Sequence, residues 1–382
     1  MSIIRRFLKL DSYQPLNLIE ISRDNLLHNY RILSLINKKV KITPVLKSNA
    51  YGHGIKEIAK ILDSYSHMSS GNVNIPFFCV DSIYEAYELL KAKVNTPILI
   101  MGYIDPENLK IKKLPFTYAV STLDLAEAIS KYQPHAGVHI FVDTGMHREG
   151  VPLTELPHFI RHLKKLTNIN IKGLMSHFAS ADDKRDPLNK TQVKNFRKAL
   201  EICKKNGTHF KWIHFANSDG LLNYVPTFQV GIQNMARVGL SLYGISSNPI
   251  LKPILTLKSK IVQIKNLQKG DRVGYDGTFV AQKPMTIGVL PLGYYDGVDR
   301  RLSNKGFVTI DDAECPILGL VSMNITAIDI TKIINPKVGQ EVIVYSNNSK
   351  YKNSIQNAAK ICKTIPYDLL VHLAPSTKRI II

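Results

Sequence analysis

Up to about Gly244 the chain alternates short apolar, β-rich runs with longer stretches whose apolar residues recur at helical spacing, the pattern of βα units around a parallel sheet. Strands are predicted at 18–21, 42–47, 77–80, 97–101, 117–120, 139–143, 171–177, 210–216 and 236–243. The intervening helices carry start signals: Ser22 ahead of Leu26, Leu27, Tyr30 and Leu33, and Ser121-x-x-Asp124 ahead of Leu125, Ala128 and Ile129. This is one strand more than an eight-stranded barrel requires. The expected fold is therefore a (β/α)8 barrel, an α/β architecture, with 18–21 as a spare strand free to pair with a second domain. From about Ser247 the texture changes to alternating or apolar runs at 257–264, 286–290, 306–310, 317–320, 326–330 and 341–345, separated by Gly-Asp, Asp-Gly and Asn-rich turns. This half reads as a mainly β domain with one helix at 354–362 and a last strand at 378–382. The expected division is 1–245 and 246–382, with no internal repeat and no low-complexity segment.

Composition changes this picture little. A length of 382 residues suits two domains. The formal net charge of +20 raises the question of a polyanionic partner, but the lysines fall in dispersed pairs such as Lys38-Lys39, Lys112-Lys113, Lys164-Lys165 and Lys204-Lys205, at predicted helix ends where solvated charge belongs. A solvated surface is expected and nucleic acid is not; the positive field can still attract an anionic cofactor. Cys79, Cys203, Cys315 and Cys362 are far apart and have no CxxC spacing, so they read as reduced thiols, and no metal is expected. The N-terminus, Met1 to Asp11, has a basic pair but lacks the apolar core of a signal peptide, and no run approaches the ~20 apolar residues of a membrane span. A cytoplasmic protein is expected.

The candidate chemistry begins at Pro44-Val45-Leu46-Lys47-Ser48-Asn49-Ala50-Tyr51-Gly52-His53-Gly54, where an apolar run ends in one lysine and drops into a polar, glycine-punctuated turn. A lysine at the C-terminal lip of a strand can be a phosphate ligand, a salt-bridge partner or a Schiff-base former. Barrel chemistry sits at such strand ends. Other polar residues fall there too: Asp143-Thr144-Gly145-Met146-His147-Arg148, Ser176-His177, Asn217-Ser218 and Arg237-Val238-Gly239-Leu240.

The lysine run closely resembles the cofactor-lysine motif of alanine racemases, and 143–148, 176–179, 215–218 and 234–243 match that family's motifs in order and spacing. The resemblance implies that Lys47 holds pyridoxal 5'-phosphate as an internal aldimine and that Tyr51, Ser218 and the backbone of Gly239 and Leu240, beside Asn217, bind its phosphate. It further implies that Arg237 faces the pyridine nitrogen, that His177 packs near the ring and supports Arg237, and that Arg148 approaches the phenolic oxygen and the substrate. Gly270-Asp271-Arg272-Val273-Gly274-Tyr275-Asp276-Gly277 resembles the segment carrying the opposite-face base, which makes Tyr275 the second catalytic residue, donated by a partner subunit of a homodimer. Pro291-Leu292-Gly293-Tyr294-Tyr295-Asp296-Gly297 matches a segment near the substrate entrance, and the backbone N–H of Met323 is expected to meet the substrate carboxylate.

The chain also departs from the family pattern. Phe141 stands where many members carry a carbamylated lysine that orients the arginine equivalent to Arg148, so a chloride, another acceptor or a different arginine pose must substitute. Ser322-Met323-Asn324 replaces the family's C-M-D, and Pro375 falls where many members have a tyrosine. The expected function is interconversion of L- and D-alanine by two-base proton transfer, supplying D-alanine for peptidoglycan. A racemase admitting serine or larger side chains, a decarboxylase of the same architecture and a non-catalytic pyridoxal-phosphate carrier are the alternatives.

Overall fold

The computed structural model describes residues 14–68, 74–224, 233–246 and 248–382; the N-terminal reading at Met1 to Asp11 lies outside them. The strands run β1 Leu18–Ile21, β2 Lys41–Pro44, β3 Phe78–Val80, β4 Ile98–Ile100, β5 Phe116–Val120, β6 Ala136–Phe141, β7 Ile169–Met175, β8 Trp212–His214 and β9 Met235–Val238. They continue with β10 Leu255–Lys260, β11 Gln263–Leu267, β12 Arg272–Val273, β13 Phe279–Val280, β14 Met285–Leu290, β15 Phe307–Ile310, β16 Ala313–Leu318, β17 Thr326–Asp329, β18 Glu341–Tyr345 and β19 Lys378–Ile381. The chain divides into two units, Arg23–Lys252 and the remainder, Met1–Ser22 with Pro253–Ile382.

In the first unit the eight strands β2 to β9 form one parallel sheet ordered β2-β9-β8-β7-β6-β5-β4-β3. An isolated parallel bridge from Val45 to Cys79 brings the end strands together, which gives the barrel its seam. Its strands read as apolar runs rather than alternations because helices cover the outer face and side chains fill the interior: β3, β4 and β5 are buried at every position. Helices start where caps allow. Ser82 accepts from Glu85 N–H in a full capping box ahead of the helix Ile83–Lys91. The predicted cap at Ser121 is corrected to Thr122, whose hydroxyl accepts from Leu125 N–H.

In the second unit β1 sits between β10, antiparallel, and β19, parallel, in a nine-stranded sheet ordered β11-β14-β17-β16-β15-β18-β10-β1-β19. The single strand expected over 257–264 is two, β10 and β11, and a small hairpin pairs β12 with β13. The helix expected at 354–362 is present as Ile355–Cys362, ending in left-handed Lys363, and an unexpected second helix, Pro366–Val371, starts at Pro366. All four cysteines are free and buried. Among the described residues no helix is long and apolar enough to cross a membrane.

Candidate active site

The strand expected to deliver Lys47 stops at Pro44, and Lys47 instead opens a short turn, Lys47–Tyr51. Ser48, Asn49, Ala50 and Tyr51 all have φ between 52° and 54°, a left-handed run in residues with side chains. Each such residue costs roughly 1–2 kcal/mol, so the surroundings must hold the turn. They do so through backbone bonds from Ala50 N–H to Leu46 O (2.8 Å) and from Gly52 N–H to Ser48 O (3.0 Å), and through the Asn49 side chain, which accepts from Ile55 N–H (2.9 Å). Lys47 Nζ lies 3.7 Å from Asp81 Oδ1.

On its other side, away from the seam, β2 pairs with β9 so that Thr43 faces Arg237 and Pro44 faces Val238. This register brings the Tyr51 ring against Gly239, where a Cβ would meet the Tyr51 hydroxyl at 2.8 Å; glycine makes room for the phenol. The Ser218 hydroxyl accepts from the N–H groups of Gly239 and Ser241, both at 3.2 Å. Asn217 caps the turn that follows, its side chain accepting from Gly220 N–H (2.8 Å). Leu240 lies beyond the end of β9, in the bonded turn that runs to Gly244 and Ile245.

Arg237 is 3% exposed. Its guanidinium donates to His214 Nδ1 (2.6 Å), His214 O (3.1 Å), Ser176 O (2.6 Å) and His177 Nδ1 (3.0 Å). Burial draws its pKa down to about 10, with Arg148 adding to the depression, so it stays charged at neutral pH. Because a guanidinium only donates, both imidazoles must accept at Nδ1, which puts the proton of each neutral ring on Nε2. The His214 Nε2–H then donates to His139 Nδ1 (2.8 Å). His139 fits because β7 carries Gly173 opposite it, where a Cβ would lie 2.5 Å from the ring. Burial, reinforced by the field of Arg237, takes His177 and His139 down to about 3 and His214 well below the usual histidine range, so all three are neutral. Lys47, Arg148 and His177 all follow the C-terminal ends of barrel strands, and Arg237 in β9 bonds His177 directly, which gathers the four at one mouth.

Arg148 ends the turn after β6. Asp143 Oδ1 accepts from the N–H groups of Gly145 (2.8 Å), Met146 (3.0 Å) and His147 (3.2 Å). Burial raises the Asp143 pKa, but those donors and His147 outweigh it and the net shift is downward. Phe141 is buried among Ala119, Met175 and Met101, and the guanidinium of Arg148 instead bonds Glu149 Oε2 (3.3 Å). The second unit carries the remaining predicted residues. Tyr275 is 71% exposed, in the short helical turn Tyr275–Gly277. It lines a pocket of about 830 Å³ with Tyr294, Tyr295, Ser322 and Met323. Met323 O accepts from Tyr295 N–H (3.0 Å), and Asn324 donates to Asp296 Oδ2 (3.3 Å).

Against this geometry, the alanine racemase N-terminal domain model matches residues 21–247 and the C-terminal domain model residues 254–381. The chain belongs to the alanine racemase family. It is 32% identical over 380 residues to alanine racemase 2 of Caldanaerobacter subterraneus subsp. tengcongensis, covering 95% of this chain and 94% of that one. The solved alanine racemase of Clostridium difficile 630 superposes with a TM-score of 0.88 at 28% identity, over 97% of each chain. That of Bartonella henselae, described with covalently bound pyridoxal phosphate, gives 0.82 at 25% identity over 97% of this chain and 100% of that one. The family and the two-part fold expected from the motifs are therefore correct. The sequence reading of this racemase-family site passed over His214, His139, Asp81 and Glu85. Of these, only Ser82-x-x-Glu85 carried a signal, that of an ordinary capping box.

Proposed function

We propose that the protein is a pyridoxal-phosphate-dependent alanine racemase that interconverts L- and D-alanine and supplies D-alanine for peptidoglycan. The observation that carries the reading is the buried Arg237 guanidinium, hydrogen-bonded to His177, His214 and the Ser176 carbonyl, at the end of the barrel where Lys47 and Arg148 follow β2 and β6 and the Ser218 hydroxyl holds Gly239 N–H. The residues present fit the cofactor. Lys47 supplies an amine for its aldehyde, the Ser218 hydroxyl with Tyr51 packed on Gly239 forms a cradle for its phosphate, and buried Arg237 offers only donors to its ring nitrogen.

When bound, pyridoxal phosphate withdraws electrons from the substrate Cα and acidifies its proton. Arg237, which keeps its own protons at neutral pH and can only donate, would face the ring nitrogen and hold it unprotonated, a weaker electron sink that would favour racemisation over transamination. Lys47 Nζ takes or returns the Cα proton on one face. The Tyr275 hydroxyl of a second copy does so on the other, which makes the working unit a homodimer. His177, its Nδ1 occupied by Arg237, presents Nε2–H to that phenol oxygen and stabilises its proton-accepting form. Arg148, paired with Glu149 and not with an anion on Phe141, remains available to the substrate.

In the test, pure L-alanine loses optical rotation with the protein and cofactor, borohydride fixes the label on Lys47, and Lys47→Ala abolishes both. Mixing Lys47→Ala with Tyr275→Phe chains restores part of the activity, because one mixed dimer site keeps both bases. No racemisation of any small amino acid sinks the reading; equal rates on bulky or basic side chains would replace alanine with a broader substrate range.

A further inference from the structure

The left-handed turn that carries Lys47 is held at its first peptide by a residue far along the chain. Glu85 Oε1 accepts from Ser48 N–H at 2.5 Å, directly after Lys47. Its other oxygen, Oε2, accepts from Asp81 N–H (2.8 Å) and Ser82 N–H (3.3 Å), at the start of the helix Ile83–Lys91. A capping-box glutamate ordinarily serves only its own helix. This one spans the seam between β2 and β3, gripping the backbone beside Lys47 with one oxygen and the backbone of Asp81, the acid 3.7 Å from the Lys47 amine, with the other.

We propose that Glu85 is a positioning residue: by fixing the peptides of Ser48 and Asp81 together it sets where the Lys47 amine stands at the barrel mouth. Of the four left-handed residues only Asn49 takes that shape readily, so the carboxylate supplies an anchor that Ser48, Ala50 and Tyr51 do not. Cap and anchor are separable. Ser82→Ala removes the hydroxyl that accepts from Glu85 N–H and leaves the Glu85 carboxylate on Ser48 N–H, whereas Glu85→Ala removes both the cap's return bond and the anchor.

This inference rests on Lys47 being the cofactor lysine, and the experiment separates the two. Wild type, S82A, E85A and E85Q are loaded with pyridoxal phosphate and compared for melting temperature, for cofactor loss on dilution followed by absorbance, and for kcat and KM with L-alanine. S82A is expected to melt lower by a few degrees and to keep wild-type kcat and cofactor retention. E85A loses kcat by about 100-fold with KM nearly unchanged, and sheds cofactor faster, as misplacement of a reacting group does. E85Q keeps an acceptor for Ser48 but turns an amide toward Asp81 N–H, and falls about 10-fold. E85A matching S82A in kcat and retention overturns the proposal. Where E85A does not fold, E85Q equal to wild type in both overturns it. A wild type that takes up no pyridoxal phosphate refutes the role of Lys47 instead, whatever Glu85 does.

Discussion

Two arginines face the same barrel mouth in opposite conditions. Arg237 is buried, holds four hydrogen bonds to two imidazoles and two carbonyls, and is backed by a third histidine. Arg148 is half exposed and bonds one equally exposed neighbour, Glu149. The fold completes the first side of the site before any ligand arrives, and the second side is left adjustable. A buried donor can be kept there only if every acceptor around it is matched, and this fixes the histidine tautomers; an exposed arginine escapes that constraint and gives up rigidity for reach.

The sharpest way to break this contrast is truncation on each side. Arg237→Ala leaves several buried acceptors without a donor and should cost about 2–4 kcal/mol in urea unfolding, with racemisation down at least about 100-fold. Arg148→Ala should lower racemisation while shifting stability by no more than about 0.5 kcal/mol. Equal stability losses would show that the two sides are alike.

An effect of comparable size comes from pH. His177 and His139 have folded pKa values near 3, against an ordinary histidine value of 6.5, so between those limits the unfolded chain binds more protons than the folded one. Their contribution is intact above about pH 6.5 and is lost as pH falls below it, by about 1.4 kcal/mol per pH unit for each histidine. Unfolding free energies at pH 7, 6 and 5 should fall accordingly. A flat profile would mean that these imidazoles are not held neutral.

The smallest effects belong to the Arg148 side. Glu149→Gln should change stability by less than about 1 kcal/mol and act chiefly on KM. Because Phe141 cannot be carbamylated, stripping dissolved carbon dioxide and bicarbonate should leave kcat unchanged. A bicarbonate-dependent rate would place the missing anion elsewhere on this chain.

The alternation of βα units, the spare first strand and the placing of Arg148 and His177 after their strands were legible, because period and strand-end polarity are local properties of the sequence, whereas the strand expected to carry Lys47 stops short of it at Pro44. The left-handed turn was not: in Ser-Asn-Ala-Tyr only asparagine is readily left-handed, and one of the bonds that hold the rest, from Ser48 N–H, goes to the distant Glu85. His214 and His139 read as ordinary strand positions. Only the register of β6, β7, β8 and β9 places their rings in line with Arg237. Glu85 satisfied its helix so well that nothing in the sequence marked its second task.

The pairing of β1 with β19 bears on the order in which the protein can be made. Leu18 aligns with Lys378 and Ile21 with Ile381, so β1 finds one of its two neighbours only once the distant β19 has been made. Throughout synthesis that strand presents an unpaired edge, an invitation to wrong partners. The ring of β2 to β9, by contrast, has all its strands once Val238 has been added. The barrel can therefore mature on the growing chain, while the nine-stranded sheet completes its β1–β19 pairing only after β19 has been made.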